Sequence, residues 1–156
     1  MAMKLEKYLV ISGVSGVFRL VSSRTNGVLV EDLQEKRTRF IAARPQQIVP
    51  LSAVALYTHT EEGALLLGDV FQRMLDAREQ TPPPPADAPS QTLRDYFAQV
   101  LPEHDRDRVH IADIKKCVRW FHFMLQHGIF DHLQKEAADE TPKPENAQPN
   151  PDETTA

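Results

Sequence analysis

Hydrophobic residues recur every three or four positions over residues 111–125, the spacing that places side chains on one face of an α-helix. Gly128 follows where glycine commonly ends a helix in the left-handed conformation. Asp113 falls in the first turn, where a negative charge suits the helix dipole. Because Trp120 and Phe123 widen the apolar face, we expect a central helix that other elements cover. The apolar stripe consists of Ile111, Ile114, Cys117, Val118, Phe121, Met124 and Leu125.

Residues 5–58 carry short β-branched and aromatic runs separated by turn residues, a pattern typical of β-strands. Turns are predicted at residues 13–16 and 35–37, and Asn26-Gly27 favours a tight hairpin because both residues tolerate positive φ. Residues 45–50 are bracketed by prolines and are expected to be irregular. Five short strands joined by tight turns predict a small SH3-like β-barrel. The predicted strands are Tyr8–Ile11, Val17–Val21, Val28–Val30, Arg39–Ala42 and Val54–Tyr57.

Three shorter helical patterns and two proline-rich segments complete the chain. Residues 67–75 predict a helix that closes one side of the barrel, residues 93–101 a second helix, and residues 129–133 a third. Residues 81–90 hold five prolines and predict an extended linker, since proline lacks a backbone N–H. Residues 137–156 hold four prolines and few large apolar side chains, so we expect a disordered acidic tail.

These elements predict an α+β protein with two small modules. A β-barrel module with its closing helix is expected in residues 1–80, a linker in 81–90, a helical module in 91–136 and the tail in 137–156. No apolar run approaches the ~18–20 residues that span a bilayer. The N-terminus lacks a secretory signal pattern. Since the single cysteine excludes an internal disulfide, we expect a cytoplasmic protein.

The net charge of −4 is unevenly distributed along the 156 residues. Residues 1–58 carry eight Lys/Arg and four Asp/Glu, whereas residues 59–80 carry two and five. Residues 91–136 are balanced, and residues 137–156 carry one Lys against five Asp/Glu. The predicted barrel is therefore mildly basic and the tail acidic.

Catalytic, cofactor and metal signatures are not found in the sequence. Residues 13–16 lack the lysine of a phosphate-binding loop and the three glycines of a dinucleotide fingerprint. His122 and His127 point about 140° apart around a helix, so they do not converge on a metal. Cys117 lies in the apolar stripe and is expected to be a buried, inert thiol. Residues 105–108 alternate in charge without the spacing of a calcium loop, and local pairing is expected. We predict no enzyme, no cofactor and no metal site.

Several short pieces of the chain together resemble a family of small uncharacterised Bacteroidetes proteins, catalogued as domains of unknown function. The likeness spans roughly residues 4–133 and implies an N-terminal β-module followed by a helical module, with no implied activity. Ala112 departs from the family pattern, where a Ser-type helix cap is expected, and this implies a weaker helix start. The matching pieces are Leu9–Gly13, Gly16–Val21, Val70-Phe71, Tyr96-Phe97, Leu101-Pro102, Asp105–Val109, Asp113–Lys116 and Trp120.

Two functional classes fit these patterns. The first is a protein-interaction or scaffolding module that uses part of the Trp120 and Phe123 surface, since Trp is enriched at interface hot spots. The competing interpretation is that both rings pack against the barrel or the third helix. The alternative function is weak RNA or DNA binding through the basic barrel face and neighbouring helix cations. The partner's identity and the oligomeric state do not follow from the sequence. The candidate partner-binding residues are Arg106, Arg108, Lys115, Lys116, Arg119, Trp120 and Phe123.

Overall fold

The structure, a computed structural model, describes residues 3–42 and 48–140, with side chains described up to residue 135. Most of the predicted tail and residues 43–47 lie outside the described residues. The first four residues of the predicted tail, 137–140, are helical, and residues 48–50, predicted to be irregular, form a strand. The described strands are β1 (Tyr8–Ile11), β2 (Val14–Arg24), β3 (Gly27–Asp32), β4 (Arg37–Ala42), β5 (Ile48–Pro50), β6 (Ala55–Tyr57) and β7 (Ala64–Leu66). The described helices are α1 (Leu67–Asp76), α2 (Ser90–Val100), α3 (Ile111–Gln126) and α4 (Ile129–Glu140).

The first five strands form one antiparallel sheet in the order β4-β3-β2-β1-β5, and β6 and β7 form a separate hairpin. The predicted α+β class is confirmed. Within the described strands the sheet is open, with β4 and β5 at its edges, so the closed SH3-like barrel is not confirmed. The strand expected to complete the barrel, Val54–Tyr57, pairs with β7 through a turn at Gly63. This local pairing closes a short loop, which costs little chain entropy.

The two faces of the sheet bury different sets of side chains, because successive residues of a strand point to opposite faces. Tyr8 and Val17 join the main core with the helices. The opposite face buries a second cluster that contains no helical residue, so the sheet itself covers it. Irregular register between β1 and β2, and between β2 and β3, adds the bend that this requires. The second cluster consists of Leu9, Ile11, Phe18, Val30 and Ile41.

The hairpin predicted at Asn26-Gly27 joins β2 to β3, but the reason differs from the expected one. Neither residue has positive φ in the described backbone. Gly27 is required instead because a Cβ there would overlap the carbonyl oxygen of Ile41 on β4 and lie 2.7 Å from Phe40 Cζ. Close approach of the next strand therefore selects this glycine.

The central helix forms as predicted, as α3, with its end at the expected glycine. Gly128 has a φ of 70°, the left-handed conformation of a helix terminus. Asp113 Oδ2 accepts a hydrogen bond from the His110 backbone N–H at 2.9 Å, which secures the first turn. Because α3 begins at Ile111, Ala112 lies inside this turn and does not occupy the cap position expected of it.

The main core joins all four helices to the sheet. Its centre holds three rings, Phe71 of α1, Phe121 of α3 and Phe130 of α4, with centroids 5.0–5.9 Å apart. Ala86 and Ala88 of the predicted linker also pack against this core. The core thus contains residues from both sides of the linker, and the division of the chain into two modules stays a prediction.

Tyr96→Phe is expected to raise the free energy of unfolding by about 1 kcal/mol. The Tyr96 hydroxyl is buried in α2, and no residue that the structure describes forms a hydrogen bond with it. Burial also raises the pKa of Tyr96, in keeping with an apolar surrounding. Urea titration followed by circular dichroism measures the change, and a clear loss of stability would show that the hydroxyl has a partner.

Candidate functional site

A groove of about 620 Å³ lies between the sheet and α3. Three parts of the chain form its walls: the end of β1 with the β1–β2 turn, strand β6, and the first half of α3 with the loop before it. Val49 of β5 contributes at the sheet edge. The lining residues are Val10, Ile11, Ser12, Gly13, Val14, Ser15, Gly16, Val49, Val54, Ala55, Leu56, Tyr57, Arg108, Val109, Asp113, Lys116, Cys117, Arg119 and Trp120.

Two glycines, Gly13 in the β1–β2 turn and Gly16 near the start of β2, position the sheet side of the groove. Gly13 and Gly16 have φ values of 81° and 96°, which residues with a Cβ rarely adopt. Gly16 also leaves space for α3, since a Cβ there would lie 3.1 Å from Phe123 Cε2. The contact between Gly16 and Phe123 sets how closely α3 approaches β2, and so one boundary of the groove.

Strand β6 supplies an aromatic side chain at the mouth of the groove. Alternation along the strand turns Leu56 into the core and leaves Tyr57 48% exposed. The Tyr57 carbonyl accepts a hydrogen bond from the Asp105 N–H at 2.9 Å, and this bond attaches the loop before α3 to β6. Arg108 from that loop stacks over the Tyr57 ring, with its Cζ 4.6 Å from the ring centroid.

Asp105 holds the loop in shape. Its buried carboxylate accepts hydrogen bonds from the backbone N–H groups of Asp107 at 3.0 Å and Arg108 at 3.3 Å. Its other oxygen lies 3.2 Å from Arg108 Nε. Burial raises the pKa of Asp105, but the two backbone hydrogen bonds, together with His59 and Arg108, outweigh it and leave the pKa below its ordinary value. The local pairing predicted for residues 105–108 is confirmed for Asp105 with Arg108.

Four of the seven predicted partner-binding residues line the groove together: Arg108, Lys116, Arg119 and Trp120. Lys116 and Arg119 are exposed, whereas Trp120 is half-buried and packs against the main core. The other three, Arg106, Lys115 and Phe123, do not line it.

Phe123 packs within the protein, as the competing interpretation of this ring predicted. It contacts the Gly16 position, and its ring centroid lies 4.4 Å from that of His127. Sequence reasoning missed Tyr57 as a groove residue. The signal available was its alternation with Leu56, which places a tyrosine on the outer face of a strand, where tyrosine often marks a binding surface.

Ion pairs divide the cations of the protein into two groups. On the sheet, Arg19 pairs with Glu31 at 2.6 Å, and Arg39 lies 3.4 Å from Asp32. Arg37 similarly pairs with Glu35 in the turn between β3 and β4. By contrast, Lys116 and Arg119 form no ion pair with any described carboxylate. Two of the cations that line the groove therefore keep their charge available to a ligand, whereas the third, Arg108, pairs with Asp105.

Within residues 3–42 and 48–135, whose side chains the structure describes, no three His, Cys, Asp or Glu side chains come together as a metal-ligand set. His104 Nδ1 lies 2.6 Å from the Leu101 carbonyl, and His122 Nε2 lies 2.9 Å from the Pro84 carbonyl. None of the described helices has both the length and the apolar character required to cross a bilayer.

The Cys117 thiol is expected to resist modification in the folded protein. Burial, with a smaller contribution from Asp113 and opposed by Lys116, raises its pKa to about 12, so the reactive thiolate is scarce near neutral pH. Reaction with a chromogenic disulfide reagent at pH 8 should be slow in buffer. It should go to completion once the protein is unfolded in about 6–8 M urea. Fast reaction of the native protein would show that the groove wall opens.

Asp105 is expected to make stability depend on pH in the acidic range. Its pKa in the folded state lies below the ordinary 3.8, so its stabilising contribution is complete above pH 3.8 and is lost as the pH falls through the lower folded value. Asp105→Asn keeps one acceptor oxygen but removes the charge. Thermal melts between pH 2 and 6 should show a weaker pH dependence for this variant, while Asp95→Asn on the exposed side of α2 should match the wild type.

Two family profiles match this chain, and the boundary between them separates the two walls of the groove. The profile of a family described as Domain of unknown function (DUF5606) matches residues 5–51, and that of Domain of unknown function (DUF6852) matches residues 54–124. A protein from Bacteroides vulgatus, solved by solution NMR at the Northeast Structural Genomics Consortium, is 30% identical. The alignment covers 81% of this chain and 89% of that chain, with a TM-score of 0.65. The chain belongs to this family of Bacteroidetes-type proteins of unknown function.

In this family member, the boundary between the two matched domains falls in the 3-10 turn at Leu51–Ala53, between β5 and β6. The first domain contributes Val10, the β1–β2 turn and Val49 to the groove, and the second contributes β6 and α3. The groove therefore lies at the junction of the two domains. The search of curated proteins found no match.

Proposed function

We propose that this protein is a non-enzymatic protein-interaction or scaffolding module that binds its partner in the groove between the sheet and α3. The observation that carries the proposal is the convergence of Tyr57, Arg108 and Trp120 on one concave surface. These three residue types dominate the energetics of protein interfaces, because they combine large apolar area with a polar group. They are also held by packing and by ion pairing before any partner arrives, which lowers the entropy cost of binding.

The chemistry of the groove supports binding over catalysis. Its thiol is buried, and its two serines, Ser12 and Ser15, lie in the exposed β1–β2 turn. The lining contains no histidine that would activate either serine. Its location between two domains is a common place for binding sites, since side chains from separate elements converge there.

Affinity purification from the organism that encodes the protein tests the proposal. Tagged wild type is compared with the double variant Lys116→Glu/Arg119→Glu and with a control, Lys135→Glu, which reverses an exposed charge on α4 away from the groove. A partner that persists after nuclease treatment, and that is lost only with the double variant, is the expected result. Capture that is equal for all three proteins contradicts the proposal.

Trp120→Phe gives a second test that avoids large losses of stability. Trp120 is the only tryptophan of the chain, so its fluorescence reports directly on the groove. Addition of the purified partner should shift the wild-type emission, and the Phe variant should bind more weakly while melting near the wild-type temperature. If Trp120→Phe binds the partner as well as wild type, Trp120 serves packing alone.

The nucleic-acid alternative remains a distinct outcome of the same experiment. Three of the arginines expected on the basic sheet are already paired with carboxylates, which leaves fewer cations for phosphates. Association that disappears on nuclease treatment, and that weakens steeply with salt, would favour RNA or DNA as the partner.

A further inference from the structure

We propose that the groove binds an extended segment of its partner in which acidic and apolar residues alternate. The inference rests on the proposed function and refines it by naming the chemistry of the bound segment. Three features of the groove carry it: the charge of its rim, the main-chain groups of Ala55 on β6, and the aromatic surface between them.

The rim of the groove has an excess of positive charge. Its charged lining residues are Arg108, Lys116, Arg119 and a single carboxylate, Asp113. Asp113 already accepts the N–H of His110 at the start of α3. Lys116 and Arg119 lie one helical turn apart on α3 and are exposed, so both can donate to carboxylates of one bound segment.

In the β6–β7 hairpin, some main-chain groups of β6 do not bond to β7 and are available for pairing with another strand. The Val54 carbonyl accepts from Leu67 N–H at 2.9 Å, and Thr58 N–H donates to the Gly63 carbonyl at 3.0 Å. Hydrogen-bonded pairs alternate along an antiparallel ladder, so the main-chain groups of Ala55 point away from β7. Ala55 is exposed and lines the groove, and outside the hairpin no described residue bonds its N–H or C=O.

An extended segment pairing at Ala55 would place its side chains alternately on opposite sides. Apolar side chains of the segment would meet Tyr57 and Trp120, which offer apolar and aromatic surface. Acidic side chains would approach Lys116 and Arg119. Alternation of apolar and acidic residues satisfies both surfaces at once, whereas a basic segment would face repulsion from the rim.

A random dodecapeptide library displayed on phage tests the inference without assuming a sequence. It is selected on the full chain, on Lys116→Glu/Arg119→Glu and on the Lys135→Glu control. The expected result is enrichment of Asp or Glu alternating with apolar residues on wild type and control. A synthetic peptide of the most enriched sequence should bind the double variant about tenfold more weakly, because charge complementarity at two sites is lost.

Ala55→Pro examines the strand pairing separately. Proline removes the Ala55 N–H, which β7 does not use, and the preceding Val54 has φ −86° and ψ 134°, a conformation that proline allows. The variant should bind the selected peptide several-fold more weakly, and its melting temperature, measured alongside, separates this effect from a loss of fold. As a readout independent of folding, hydrogen exchange at the Ala55 amide of the wild type should slow on peptide binding, and unchanged exchange would refute strand pairing.

Three outcomes would overturn the proposal. The first is enrichment of neutral or basic peptides, or of none, on the wild-type chain. The second is competition at equal affinity between the selected peptide and a twelve-nucleotide oligothymidine. The third is binding that occurs only after Glu145→Gln/Asp152→Asn/Glu153→Gln removes three of the five acidic charges of residues 137–156, which would make that tail the occupant. A groove-dependent partner in the affinity purification would survive any of these, so failure of the inference is distinguishable from failure of the proposed function.

Discussion

Phe121→Ala is expected to lower the free energy of unfolding by about 3–5 kcal/mol, the range found when a fully buried aromatic ring is removed. Phe121 is completely buried, and its ring centroid lies 5.9 Å from that of Phe71 and 5.0 Å from that of Phe130. Removal of the ring leaves a cavity where α1, α3 and α4 meet, and surrounding helices relax only partly into it. Urea titration followed by circular dichroism gives the free energy directly.

Phe40→Ala is the matched control for this change. The same atoms are removed from a ring on β4 that is 47% exposed, so the expected loss is below about 1 kcal/mol. A loss for Phe121→Ala no larger than that for Phe40→Ala would contradict a core shared by the three helices. It would also weaken the basis of the groove, because α3 is its rigid wall.

Gly27→Ala is expected to destabilise the protein by about 2–3 kcal/mol, through crowding of two strands that already lie in contact. The added Cβ would overlap the Ile41 carbonyl oxygen and lie 3.0 Å from Ala42 Cα. Backbone cannot rotate away as a side chain can, so β4 must shift from β3. We expect faster hydrogen exchange in β4 and a lower melting temperature.

Ser23→Ala controls for the effect of a methyl side chain in the same hairpin. Ser23 is exposed on β2 and pairs with Val28, one position from Gly27, and its substitution should change stability by about 0.5 kcal/mol or less. Wild-type stability of Gly27→Ala would show that β4 approaches β3 less closely than the structure indicates. Since β4 is an edge strand, binding in the distant groove should be unaffected by either change.

The groove lies at the junction of two domains, so binding there would affect how tightly the two domains pack. Residues 5–51 and 54–124 match separate families, yet each supplies one wall. A partner bound between them would contact both domains and so stabilise their packing. The contact of Phe123 with the Gly16 position joins the two walls independently of any partner, together with the main core that both domains share.

Local patterns in the sequence were sufficient to predict the helices and the longer strands. The apolar period over residues 111–125 and Gly128 predicted α3, because both signals act within a few helical turns. Alternation and β-branched runs similarly predicted β1 to β4. The buried state of Cys117 and the local pairing at Asp105 followed from the same short-range reasoning. The resemblance to Bacteroidetes domains of unknown function is confirmed by the two family matches and by the related NMR structure.

Long-range pairing decided the rest. Strands β5 and β7 have three residues each, too few for alternation to be recognised. Strand β6 pairs with β7 and not with the larger sheet, because β7 is close to it along the chain. Gly27 is required because β4 lies so close to β3, and no local pattern in the sequence reveals that close approach. The groove joins segments near residues 10–16, 54–57 and 108–120, so Tyr57 became a site residue only through tertiary contacts. The sequence by itself determined which segments become helices and strands, since those choices depend on neighbouring residues. The tertiary structure alone determined which cations remain unpaired and which surfaces meet, since these depend on residues that are distant along the chain.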